Sequence, residues 1–324
     1  MAATAADAPL SWPSRLLLAA FGVTLALAFG ETALRVAHFH FDLVPTLEFG
    51  WPDPVAMRDA YVTDPDLVWV PRNYQDTLAL ARRTPPAVVF MGDSCTQFGN
   101  YPTKTIADLE AVGSPLAHGV KVGVGGWSSA QGLAQLRRDV IPLHPKVVTI
   151  YYGWNDHWVA MGLTDTEIMR AGRLRGLAEH LRLAQLWLKL DVAVAMRRHP
   201  APNRVPIHDY TQNLLHMASA ARAADITPVF VTAPSNHVPG HEPAYLAKRH
   251  VRALSEVVPL HTAYAQATRD AAATAGAPVC DAAAAFAALP EPHGRYFQND
   301  GIHLTEAGNN EMANIVTGCL LKLK

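Results

Sequence analysis

Apolar positions follow two patterns along this chain. Short apolar runs bounded by Gly, Pro or polar residues occur at Ala87–Met91, Val120–Val124, Pro145–Tyr152, Ile226–Ala233 and Ala277–Asp281. Runs of this length predict buried strands. Between them the spacing changes to helical steps of three and four, as at Leu133, Leu136 and Val140. Helices are predicted at Lys104–Leu109, Ala130–Val140, His208–Ala224, Tyr245–Ala275 with an interruption near Pro259, and Glu306 to about Lys322. Three of the strands run into a loop of Gly plus polar residues: Gly92-Asp93-Ser94, Gly125-Gly126-Trp127-Ser128-Ser129 and Gly153-Trp154-Asn155-Asp156. The first two loops lead into helices. Such repetition implies βα units, hence an α/β domain with a mostly parallel sheet between helices.

Three stretches depart from the rhythm. An uncharged run, Leu16–Gly30, follows Arg15. As a helix it covers about 22 Å, and continuing through Ala37 it reaches the ~30 Å hydrocarbon thickness. Glu31 and Arg35 then stand one turn apart, able to pair near the interface. Residues 15–37, after a tail at 1–14, are read as a membrane anchor. The small-x-small triplet Ala26-Leu27-Ala28 keeps a cleaved signal peptide open, and a buried core helix is the third reading. An anchor or signal segment would carry the rest of the chain out of the cytoplasm, to a periplasmic or extracellular position, tethered or secreted.

Residues 38–85 hold frequent prolines among Trp51, Tyr61, Trp69 and Tyr74, which forbids a long helix. An ordered strap that packs its aromatics on the core is expected, with Asp66–Pro71 as a brief edge strand. Residues 157–206 form an insertion in the domain at 86–324. Leu177, Leu181, Ala184, Leu188 and Val192 recur there at helical spacing, giving a lid, a membrane-facing amphipathic element or a packed cover.

Half of the 324 residues are hydrophobic, 17% are charged, and the formal net charge is -1. A large core is therefore expected, and no nucleic-acid partner. Cys95, Cys280 and Cys319 are too scattered for a disulfide framework or a zinc site; Cys95 is read as a buried filler.

Chemistry concentrates at the strand ends. Ser94 follows the first strand, where a parallel sheet presents residues to ligands, and is a candidate nucleophile; it and Asp93 also suit a helix N-cap. Asp300 and His303, about one turn apart, let a carboxylate fix the imidazole tautomer whose other nitrogen takes a hydroxyl proton. Rival motifs are weaker. Gly126-Trp127-Ser128-Ser129-Ala130 lacks the last glycine of a nucleophile elbow. Pro239 and Gly240 break any helix that could pair His237 with His241, and His38 and His40 flank the apolar segment as structural residues.

Gly92-Asp93-Ser94, Gly126, Gly153-x-Asn155 and Asp300-x-x-His303 occur in the order of the four blocks of the SGNH or GDSL hydrolases, which the chain resembles from Ala87 to its end. Asp300-Gly301-Ile302-His303-Leu304-Thr305 and Gly308 resemble the family's last block closely. The second block departs from the family's Asn, offering Lys121 or Val122 instead. Gly126 is preferred over Gly125 because Gly126-Trp127-Ser128-Ser129 and Gln131-Gly132-Leu133 continue the pattern.

The resemblance implies a three-layer α/β/α, flavodoxin-like fold and ester hydrolysis without metal or cofactor. It implies Ser94 as nucleophile, His303 as base and then acid, and Asp300 as its orienting carboxylate. The oxyanion donors would be the N–H groups of Ser94 and Gly126 and the amide of Asn155, while Asp93, Trp154 and Asp156 shape their loops. Expected substrates are small acyl esters, O-acetyl or short-chain, on envelope carbohydrate or lipid. An O-acyltransferase using the same triad, and a polysaccharide-assembly protein that has lost catalysis, are the alternatives.

Overall fold

The computed structural model describes residues 11–41, 60–160, 162–173, 180–195, 197, 201–290 and 293–323. Helix α1 (Trp12–Val36) starts at a Ser11 cap, and none of its side chains is buried. It is long and apolar enough to cross a membrane. Strands β1 (Tyr61–Asp64) and β2 (Val68–Pro71) form an antiparallel hairpin, followed by helix α2 (Tyr74–Arg83).

The main domain continues with β3 (Val88–Gly92), the one-turn helix α3 (Ser94–Gln97), α4 (Tyr101–Ala111), β4 (Gly119–Lys121) and α5 (Ser129–Gln135). Strand β5 (Val147–Tyr151) comes next, then helices α6 (Asp165–Arg173), α7 (Arg182–Ala195) and α8 (Ile207–Arg222). After β6 (Thr227–Val231) come α9 (Leu246–Arg249), α10 (Val257–Ala275), the two-residue β7 (Val279–Cys280), α11 (Ala282–Ala287) and α12 (Glu306–Leu320).

Strands β3 to β7 form one parallel sheet in the order β4-β3-β5-β6-β7, the doubly wound arrangement that opens a crevice beyond the strand C-termini. Alternate residues feed two cores. Val89, Met91, Val148, Ile150 and Phe230 face α5, α8, α10 and the strap. Val88, Phe90, Val147, Tyr151, Val229 and Val231 face α4, α11 and α12. Each such side chain contributes about 1.5–3 kcal/mol on full burial, which is why the central strands read as unbroken apolar runs.

The brief strand expected at Asp66–Pro71 forms as β2, paired with β1 in a two-stranded sheet apart from the main one, while the Trp69 indole donates to the Gly125 carbonyl at 3.1 Å and the Trp127 indole donates to Trp69 O at 3.0 Å. Three local expectations change. A ten-residue helix, α2, fits between Pro71 and Pro85, because those prolines bracket it. Pro259 lies in the first turn of α10, where its missing N–H costs nothing, and the break falls before it, at Val251–Ala253. The helix expected through Val140 changes its winding: α5 ends at Gln135 and continues as a wider π turn, Leu136–Val140. Trp51 and Leu177 lie outside the described residues.

Candidate active site

Strand β3 delivers its C-terminus to the crevice. Gly92 is required there for space: a Cβ would lie 2.8 Å from Tyr151 O on the neighbouring strand. Asp93 caps α3 and accepts from Cys95 N–H at 2.9 Å, so the cap and nucleophile readings of this loop are compatible. Ser94 is the first residue of that helix, and its N–H is among the donors a helix start leaves without intrahelical partners.

His303 Nε2 lies 2.9 Å from Ser94 Oγ, and His303 Nδ1 lies 2.5 Å from Asp300 Oδ2. This network assigns the proton on Nδ1 to the Asp300 bond and leaves Nε2 to accept from the serine hydroxyl. Asp300 and His303 are not on a helix. The Asp300 Oδ1 atom accepts from the N–H groups of Ile302 and His303, both at 2.9 Å, and this turn folds the imidazole back over the carboxylate. His237 supports the turn from the loop after β6, donating Nε2–H to Asp300 O at 2.8 Å.

Burial alone would raise the Asp300 carboxyl, but the bonds from His303 and the two backbone N–H groups outweigh it and hold the acid below its ordinary range. For His303, burial opposes the charged ring, yet the Asp300 bond and charge prevail and raise it. Asp93 is fully buried and pushed up to about 6 by burial. The Cys95 thiol beside Ser94 is driven well up by burial, so it stays protonated as the apolar filler expected.

Asn155 Nδ2 donates to Asp93 Oδ2 at 3.2 Å and to Trp127 O at 3.0 Å, which ties the loops after β3, β4 and β5 together. Asp156 completes the loop, accepting from Gly153 N–H at 3.1 Å and Ser129 N–H at 2.8 Å. Gly126 takes φ 78°, a conformation that favours glycine. The Gly125 carbonyl is drawn to the Trp69 indole, so the trans peptide turns the Gly126 N–H the opposite way.

Ser94, Asn155, Asp300 and His303 line one cleft of about 900 Å³ together with Phe98, Trp154, Trp158, Tyr245, Lys248 and Gln298. Gly126 is not among these lining residues; it immediately precedes Trp127, whose carbonyl accepts from Asn155.

Sequence reasoning missed the support of that loop. Arg204 and Asp165, both fully buried, form an ion pair at 2.7 Å, and Arg204 Nη2 also donates to Gly126 O at 2.7 Å. Ser128 Oγ donates to Asp165 Oδ2 at 2.7 Å. Gln97 Oε1 accepts from Gly125 N–H at 2.5 Å and from the Tyr61 hydroxyl at 2.8 Å. The residues come from the insertion, the strap and α3, so no local spacing announces them.

A serine at the carboxyl edge of a doubly wound sheet, linked through histidine to a carboxylate, is the layout of a serine hydrolase. Residues 90–310 match the GDSL-like lipase/acylhydrolase family, and the chain belongs to that family: it is a serine ester hydrolase of the GDSL or SGNH type. Solved structures are similar in fold. One described as a GDSL-like lipase from Parabacteroides merdae is 16% identical with TM-score 0.50, over 72% of this chain and 95% of that one. A GDSL-like lipase from Bacteroides thetaiotaomicron is 18% identical with TM-score 0.49, over 78% and 96% respectively. The lipase/acylhydrolase from Enterococcus faecalis is 16% identical with TM-score 0.48, over 72% and 94%. No curated protein sequence matches the chain.

Proposed function

We propose that the enzyme hydrolyses small acyl esters through an acyl-Ser94 intermediate, on carbohydrate or lipid at the cell envelope. The observation that carries this is the continuous chain Ser94 Oγ–His303–Asp300, at 2.9 and 2.5 Å, opening on the aromatic cleft.

In the first step Ser94 Oγ attacks the ester carbonyl carbon while His303 Nε2 takes the hydroxyl proton. Asp300 holds the ring and stabilises the imidazolium. The N–H groups of Ser94 and Gly126 and the Asn155 amide donate to the oxyanion. Asn155 exchanges its 3.2 Å bond to Asp93 for that role. Collapse of the intermediate breaks the ester C–O bond, and His303 returns the proton to the departing alcohol. Water then repeats the sequence on the acyl-enzyme, releasing the carboxylic acid and free Ser94.

The cleft is far larger than an acetyl group, and its walls are rings: Phe98, Trp154, Trp158 and Tyr245. Such surfaces suit the apolar faces of a sugar or a lipid glycerol, with a short acyl group directed at Ser94. An N-terminal anchor, α1, would hold the domain outside the cytoplasm, where such esters occur. Comparing acetyl, butyryl and octanoyl p-nitrophenyl esters, and then an O-acetylated oligosaccharide, tests this. A steep preference for acetyl and release of acetate from the oligosaccharide are expected; preference for octanoyl with no acetate release contradicts the short-acyl assignment.

A further inference from the structure

We propose that helix α7 lies flat on the membrane surface, its outward apolar stripe seated at the boundary between lipid headgroups and acyl chains. This rests on the reading of α1 as a membrane span.

The contacts of α1 divide it in two. From Trp12 to Phe29 its apolar side chains are open, with Leu17 72% and Phe29 78% exposed. That stretch rises about 27 Å, close to the ~30 Å hydrocarbon core. Protein contact begins at its end. A Cβ on Gly30 would lie 3.3 Å from Leu183 Cδ2 of α7. The Glu31 carboxylate accepts from the N–H groups of Arg182 and Leu183, both at 3.0 Å, satisfying donors that the first turn of α7 leaves open. Arg35 pairs with Glu31 at 2.7 Å and donates to His180 O at 2.5 Å. The chain then turns back along α7: Phe41 N–H donates to Gln185 Oε1 at 3.1 Å, and Lys189 Nζ stands 5.5 Å over the Phe39 ring. Helix α7 is thereby fixed at the depth where the span ends.

Helix α7 has a buried side and an open one. Gln185, Leu188 and Ala195 are buried, Ala195 in the same core as Val89, Val148 and Phe230. Leu183, Trp187, Leu190 and Val194 recur at steps of four, three and four on another face, and the last three are 55%, 57% and 65% exposed. The first member of this stripe touches Gly30, so it continues the open apolar surface of α1. An indole among aliphatic side chains suits the interface rather than the bilayer interior.

A consequence for catalysis follows from connectivity. The insertion that carries α7 closes at a bridge between Val159 and Asn203, next to Trp158 in the cleft wall. One segment therefore links the bilayer surface to the substrate cleft.

Site-directed nitroxide labelling of the full-length chain in phosphatidylcholine–phosphatidylglycerol nanodiscs tests this, on a Cys319→Ser background because Cys95 and Cys280 are buried. Labels are placed at Leu190→Cys, Phe21→Cys and, as a water-facing reference, Val112→Cys. Relaxation by oxygen is compared with relaxation by a water-soluble nickel chelate. The expected oxygen-to-nickel ratio is highest at Phe21, lowest at Val112 and intermediate at Leu190, at least threefold above Val112. A Leu190 label as open to nickel as Val112, with Phe21 in lipid, overturns the proposal and leaves the span intact. Protection of Leu190 from both reagents means that protein covers the stripe, which also overturns it. Nickel access at both Phe21 and Leu190 removes the span and the proposal together.

Discussion

Arg204 reaches from the insertion to the Gly126 carbonyl, 2.7 Å away, across 78 residues of chain. Its charge is neutralised by Asp165 in the same buried site, so the loop after β4 is held by a cation that has no access to water.

Removing one partner of such a pair strands the other. Asp165→Ala should destabilise the domain by about 3–5 kcal/mol. Urea unfolding followed by tryptophan fluorescence measures it, and a loss under 1 kcal/mol would show that the pair is solvated.

Asn155→Ala should lower kcat about 10²–10³-fold while changing KM little, since an oxyanion donor acts on the transition state. Steady-state kinetics on p-nitrophenyl acetate separate the two. A raised KM at unchanged kcat would make Asn155 a ground-state contact instead.

The pH profile has a defined sign. In the proposed mechanism His303 must be neutral to accept the Ser94 proton, and Asp300 raises its affinity for protons above the ordinary histidine value of 6.5. Activity is therefore full at higher pH and falls as pH drops through a midpoint above 6.5. A kcat/KM profile with its acid limb well below that value contradicts the Asp300–His303 coupling.

Asp300→Asn removes the charge that raises His303. Its acid limb should move to lower pH, and kcat should fall about 10⁴-fold because the imidazole loses its oriented tautomer. An unmoved limb with unchanged kcat would assign Asp300 to loop structure alone.

Much of the site is legible in the sequence because each residue sits at the end of a recognisable apolar run or in a compact motif. Ser94 and Asn155 stand in the short loops after β3 and β5. Asp300 and His303 meet as the motif implies, although a turn rather than a helix brings them together. What stays illegible depends on distant partners. The Trp127 indole donates to Trp69 O across 58 residues, the Trp69 indole to Gly125 O across 56, and Arg204 finds Asp165 39 residues away; none of these pairings leaves a local pattern. Helix α2 is hidden for a different reason: its prolines stand just outside it, where they delimit a helix as readily as they forbid one.

Release of p-nitrophenol from p-nitrophenyl acetate by the purified full-length enzyme, beside its Ser94→Ala variant, is the most direct measurement. Turnover that falls at least 10³-fold in the variant, with the fold unchanged by circular dichroism, is the predicted result. Equal turnover by both proteins would place the nucleophile elsewhere and contradict catalysis through Ser94.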